Sequence, residues 1–185
     1  EQDSVIALRS RIDRARLKAL LGEWNEAERL VDESVSLGIP AGAVWISRTR
    51  ITGWRPDRVA VANKLLLHPD IQSGQNPRVQ ALLRLITGES NTDLDQFFFP
   101  QLASEESSPR SRSFVYQIQT EAFMGRGQAD AAVRALARSV DNGLFDLVWL
   151  DRCPLLVDLR RDLRFQALRK IVIERATRIQ NVLRK

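Results

Sequence analysis

Across 185 residues the chain carries one cysteine, one histidine, one methionine and one tyrosine. The lone cysteine, Cys153, excludes an internal disulfide and fits a reducing compartment, so a cytoplasmic location is expected. The lone histidine, His68, leaves a catalytic triad or a histidine-based zinc site without its other members. No apolar run reaches 18 residues, so no transmembrane segment is expected, and the start shows no signal-peptide pattern. Aromatic residues are scarce at 6% while Ala, Leu and Arg are abundant, which favours helices over sheets. Gly125-Arg126-Gly127 has no strand before it and no Gly-Lys-Ser/Thr after it, so it is not a phosphate loop. With no catalytic constellation, the chain reads as a non-enzyme with no cofactor and no metal. It begins at Glu1, and its only methionine is Met124, as expected of an excised piece of a larger protein or of a processed product.

What the sequence does have is a globular balance, 44% hydrophobic and 28% charged, in a length suited to a single domain over 1–185. The net charge of +5 is unevenly placed. Leu150–Lys185 holds ten basic and four acidic residues, whereas the preceding 149 residues hold 18 basic and 19 acidic ones. A neutral body with a basic tail argues against nucleic acid as the partner of the whole domain.

Apolar spacing of three and four predicts a helix over 4–21 (Val5, Leu8, Ile12, Ala15, Ala19), with Ser4 as its cap. Gly22 breaks it. Trp24-Asn25-Glu26-Ala27 opens a second helix, with Ala27, Leu30, Val31, Ser34 and Val35 on one face, which stops at Gly38-Ile39-Pro40. Further helices are expected over Ala41–Thr52, ended by Gly53, over Asp57–Leu67, and from Pro77 through Ile86. His68 then caps the carbonyls of the Asp57–Leu67 helix or faces water, and Ile71–Asn76 is a loop. Asp93–Ala103, with Phe97-Phe98-Phe99, is another helix, kinked or shortened by Pro100. Ser104–Ser113 is the most polar stretch and reads as an exposed loop, its serines beside Arg110 and Arg112 being phosphate acceptors or simply solvated. Arg112–Arg126 and Gln128–Asn142 form the last pair around Gly127. Helices joined by such short turns lie antiparallel.

Gly22 and Gly127 stand 105 residues apart, three periods of 35, and Ala27, Ala62, Phe97 and Ala132 repeat at that period. A period near 34 with two helices per unit marks tetratricopeptide repeats. Ala15–Leu37 resembles that family through Ala15, Leu21-Gly22, Trp24, Glu26-Ala27 and Val35, and the last pair through Phe123, Gly127, Asp130-Ala131-Ala132 and Val140. The middle pairs depart from it, with Asp57 and Thr92 where the turn glycine belongs. The resemblance implies an all-α fold, an α-solenoid of about four antiparallel helix pairs over 1–142, closed by 143–185 with a C-terminal capping helix. A second resemblance lies in Gly143-Leu144, Trp149-Leu150-Asp151, Cys153-Pro154-Leu155-Leu156, Leu159-Arg160, Asp162, Arg164-Phe165 and Leu168-Arg169. These residues are similar to the C-terminal end of repeat arrays in bacterial multidomain signalling proteins, Ser/Thr protein kinases among them, although Leu163 stands where the usual pattern has proline. That similarity implies a regulatory region attached to an upstream effector domain. Leu144, Leu147, Trp149, Leu150, Leu155, Leu156, Leu159 and Phe165 would seal the stack, with Cys153 a buried structural cysteine.

In the tetratricopeptide family the first helix of each pair lines a concave groove that holds a peptide. Counting back from the turns places Arg9, Ile12 and Arg16 there, then Ser47 and Arg50, then Arg78 and Leu82, then Gln117 and Glu121. The arginines suit an acidic protein or peptide, or an effector domain of the same chain, through charge-assisted hydrogen bonds. In the tail, Phe165, Leu168, Val172, Ala176, Ile179 and Leu183 form a packing stripe, leaving Arg169, Lys170 and Arg178 on the other faces. Those three read either as the solubilising face of a capping helix or as a surface for a polyanion or an anionic membrane.

Overall fold

A computed structural model describes residues 2–37, 41–89 and 108–183, with side chains from Ser10 to Val182 within those ranges. Every described element is helical. The expected stop at Gly38-Ile39-Pro40 and the expected helix Asp93–Ala103 with its three phenylalanines lie outside those residues, as does the side chain of Leu183 in the tail stripe. The chain, read from sequence as one domain, falls into two compact units, residues 1–91 and 92–185.

The first unit opens with α1 (Gln2–Leu20) and α2 (Trp24–Ser36). At their turn Gly22 has φ +81°, which an L side chain reaches only at a cost of roughly 1–2 kcal/mol. The Gly22 N–H donates to the Ala19 carbonyl (3.0 Å) and the Glu23 N–H to the Lys18 carbonyl (2.9 Å), which satisfies the last carbonyls of α1. α2 buries Ala27, Leu30, Val31 and Ser34, but Val35, expected on the same face, is 59% exposed. One residue past Ser34 adds 100° of rotation and turns that side chain outward.

α3 (Ala41–Trp54) is the centre of this unit, packed by α1, α2, α4 (Arg58–Leu66) and α6 (Pro77–Thr87). Gly53 does not end it as the sequence suggests; the helix runs on to Trp54, and Gly53 is where α6 comes near, a Cβ there lying 3.4 Å from Ile86 Cδ1. Arg48 of α3 pairs with Asp32 of α2, and Arg55, just past the end of α3, with Glu28 of α2. Arg55 also lies over the Trp24 ring (5.8 Å) and grips both carboxylate oxygens of Asp57, so Asp57 makes no side-chain cap at the start of α4. The stretch read as a loop begins instead within a helical turn, α5 (Pro69–Gln72), pinned by the fully buried Ile71. His68 serves the start of α5, not the end of α4: its Nδ1 accepts the Asp70 N–H at 3.2 Å, while Pro69, with no N–H to satisfy, takes the first helical position. Trp45, Ala62, Ile71, Val79 and Leu83 form the core that α3, α4, α5 and α6 share.

The second unit begins with α7 (Pro109–Gly125) and α8 (Ala129–Asp141). Ser108 caps α7, its hydroxyl accepting the Ser111 N–H at 3.2 Å, so the expected exposed loop gives way to helix from Pro109. Ser113 is buried. Its hydroxyl donates to the Ser139 carbonyl (3.1 Å) and the Ser139 hydroxyl returns to the Ser113 carbonyl (2.9 Å), which the short side chains permit only at close helix contact. The turn at Gly127 (φ +71°) repeats the one at Gly22: Gly127 N–H to Met124 O (3.0 Å) and Gln128 N–H to Phe123 O (2.9 Å). Ala27 and Ala132 are both fully buried one turn into the following helices, as is Ala62 in α4, whereas Phe97 lies outside the described residues.

The closing segment follows as α9 (Leu147–Arg152), two single 3₁₀ turns (Pro154–Leu156 and Leu159–Arg161) and α10 (Leu163–Leu183). Asp146 caps α9 through the Trp149 N–H (3.0 Å). Leu144, Trp149, Leu150, Cys153, Leu156, Leu159, Phe165 and Val172 are all buried, and Leu147 and Leu155 half-buried. α10 packs on α8 and α9, and the first 3₁₀ turn on α7. The outer stripe thins along α10: Ala176 is half-buried and Ile179 exposed.

Candidate protein-interaction surface

In the first unit α3 touches both α1 and α6, as it does α2 and α4, so the expected groove helices are neighbours through α3. Ile12 and Arg16 on α1, Ser47 on α3 and Arg78 on α6 are half-buried. The Ser47 hydroxyl donates back to the Ala43 carbonyl at 2.9 Å. Arg50 is only 6% exposed and lies over the Trp54 ring at 5.3 Å, and Leu82 is buried. Arg16, Arg50 and Arg78 all interact within the protein, so any ligand would share or exchange existing contacts. The Arg9 side chain lies outside the described residues.

In the second unit the corresponding helix is α7, and Gln117 and Glu121 on it are buried. Glu121 Oε1 accepts the indole N–H of Trp149 at 2.6 Å, so α9 of the same unit covers this face. A partner would reach Glu121 only by displacing Trp149, itself fully buried.

The basic tail is largely engaged in holding its own unit together. Arg160 donates to the Leu150 (3.1 Å) and Cys153 (2.7 Å) carbonyls at the end of α9, and Arg175 to the Val140 carbonyl (2.9 Å) at the end of α8 and the Leu144 carbonyl (2.6 Å) just beyond it. Both guanidinium groups thereby meet carbonyls at the negative end of a helix. Arg169 makes a forked pair with Asp151 (2.6 and 2.8 Å), whose carboxyl it holds below the usual range. Arg164 bridges Asp162 and Asp130; its side-chain hydrogen bond, followed by its own backbone N–H, pulls the Asp162 carboxyl down to about 2. Lys170 and Arg178 are exposed and stand outside these pairings.

Apart from Asp162, two residues before Arg164, these partners lie 7 to 35 residues away along the chain, and the sequence offered no local sign of them. The only available signal was the surplus of arginine over lysine in the tail, since the planar guanidinium is the group that forks onto carboxylates and paired carbonyls. Among the described residues no three His, Cys, Asp or Glu side chains gather to hold a metal ion, and no helix is long and apolar enough to cross a membrane. Comparison with known proteins found no matching family model, no matching curated protein and no matching solved structure.

Proposed function

We propose that this chain is a non-enzymatic regulatory module, a tetratricopeptide-like helical array that binds an acidic protein segment or its own upstream effector domain. The setting suggested by the closing segment is a bacterial multidomain signalling protein in the cytoplasm. The observation that carries this reading is the packing of α3 against both α1 and α6, which we read as one layer with Arg16 and Arg78 half-exposed on its two outer helices. Guanidinium groups on adjacent rigid helices select a carboxylate-bearing ligand through forked, charge-assisted hydrogen bonds. Arg50 would act from beneath, fixed against Trp54 as support for the layer. The alternative, a polyanion or anionic-membrane surface on the tail, keeps Lys170 and Arg178 but loses Arg169 to Asp151. The test is charge reversal at Arg16 and Arg78 together, measured by calorimetric titration against the effector region encoded upstream. Binding should weaken by about tenfold or more while the helical melt stays within ~2 °C. Unchanged affinity would remove the layer from consideration.

A further inference from the structure

The basic end of the chain gathers its uncancelled charge around the end of α9. Residues 148–170 hold six bases and three acids. Arg164 and Arg169 are matched by Asp162 and Asp151. Arg160 is bonded to neutral carbonyls, so its charge is offset only in part, by the negative end of α9. Arg152, Arg161 and Lys170 are exposed and outside these pairings, and the one acid left to set against them is the exposed Asp158.

Printed contacts bring these bases to one side of the unit. Arg160 and Arg169 both reach the last turn of α9, which carries Arg152 itself. The Asp151 carboxyl, held down first by the Arg169 hydrogen bond, also feels the charges of Arg160 and Arg152. On α10 the Gln166 side chain donates to the Arg160 carbonyl at 3.3 Å, which sets that face of the helix beside the Leu159–Arg161 turn. Leu163, Gln166 and Lys170 follow one another at spacings of three and four, so they share that face. Leu163 is 79% exposed there, and Val157, between the two 3₁₀ turns, is 56% exposed. These aliphatic side chains stand singly at a turn and a helix start, not in the stripe that a partner helix would need. A soluble polyanion would meet the bases and leave Val157 and Leu163 in water. An anionic bilayer takes both, headgroups against the bases and the branched side chains into the interface.

We propose that the junction of α9 and α10 is a contact surface for an anionic membrane, with Arg152, Arg161 and Lys170 on lipid headgroups and Val157 and Leu163 set into the interface. The proposal rests on the alternative reading of the basic tail and moves its centre from Arg178 to the end of α9. It stands or falls separately from the first-helix layer.

The experiment is co-sedimentation of the full chain with vesicles of mixed phosphatidylcholine and phosphatidylserine, beside vesicles of phosphatidylcholine alone. The chain should pellet with the mixed vesicles, more at low salt than at high, and stay in solution with the neutral ones. Arg152→Gln, Arg161→Gln and Lys170→Gln together should weaken the partition roughly a hundredfold, about fivefold for each base removed. Val157→Ser with Leu163→Ser should weaken it about tenfold while leaving binding to inorganic polyphosphate unchanged. Arg178→Gln, off the Gln166–Lys170 face, should change it by less than about twofold. Circular dichroism of each variant reports whether it remains folded. No pelleting with the mixed vesicles, equal pelleting with the neutral ones, or an unaltered partition in the triple variant or the serine variant would overturn the proposal. Polyphosphate binding without lipid partition would overturn it in favour of a soluble polyanion, and a loss carried by Arg178→Gln alone would return the contact to the other face of α10. None of these outcomes touches the first-helix reading, which Arg16 and Arg78 report.

Discussion

Leu163 offers a sharp test of how the closing segment is built, because the expected effect of replacing it with proline is a gain in stability. Leu163 is the first residue of α10 and is 79% exposed, so removing its side chain gives up little buried surface. The first N–H of a helix has no intrahelical acceptor, so proline at that position forfeits no helical hydrogen bond. Asp162 directs its carboxylate to the following N–H groups: Arg164 N–H donates to Oδ1 at 2.8 Å, and Phe165 N–H also lies within its reach. Asp162 itself has φ −74° and ψ 127°, an extended conformation that the residue before a proline prefers. The remaining effect is the lost freedom of the unfolded chain, about 0.4–1 kcal/mol in favour of the folded state. For a chain of this length that raises the melting temperature by roughly 1–4 °C. Reversible urea unfolding followed by circular dichroism measures it, with an unchanged slope confirming that the effect is on stability. Destabilisation by more than about 0.5 kcal/mol would refute the reasoning, since it would mean that the Leu163 N–H or its φ is constrained in a way proline cannot meet.

Three further outcomes are expected. Trp149→Phe removes the donor to the buried Glu121 carboxylate and should cost about 1–3 kcal/mol in urea melts, with Glu121→Gln in the same background restoring part of the loss. Asp162 has a carboxyl held at about 2 against an ordinary 3.8, so its contribution is complete above 3.8 and fades as pH falls from there through 2. The melting-temperature difference between the unmodified chain and Asp162→Asn should therefore shrink over that window, and a difference constant down to pH 2 would contradict the assignment. Arg50→Glu should lower the melting temperature far more than Arg16→Glu, because Arg50 is buried over Trp54 whereas Arg16 is half-exposed.

The parts of the fold that were legible in the sequence are those set by local chemistry. Gly22 and Gly127 mark turns because only a residue without Cβ takes φ +81° and +71° at little cost, and the hydrogen bonds around the two turns match. Ala27, Ala62 and Ala132 mark buried positions because the small side chain suits close helix contact. Gly53 was misleading for the same reason that Gly22 was informative: a glycine inside a helix and one ending it look alike until the packing of α6 is known. Ser104–Ser113 looked like a solvated loop because composition cannot show that Ser113 will meet Ser139, 26 residues later.

The candidate surface was less legible. Arg50 stands 35 residues after Ala15 and 70 before Thr120, both fully buried, so its period alone placed it inside. Counting back from the turn placed it on the groove face, although charged side chains are seldom buried. Glu121 was placed by counting back from the turn and the tail arginines by lying off the packing stripe, but their partners, Trp149 and carbonyls at or just beyond the ends of α8 and α9, come from folding the closing segment back.

The most direct measurement of the central claim is to map where the proposed effector region touches this chain, by titrating it into the arginine-labelled protein and following the guanidinium signals. Perturbation centred on Arg16 and Arg78, with Arg169 unmoved, is the predicted result. Perturbation confined to Arg178 and its neighbours on α10 would contradict it.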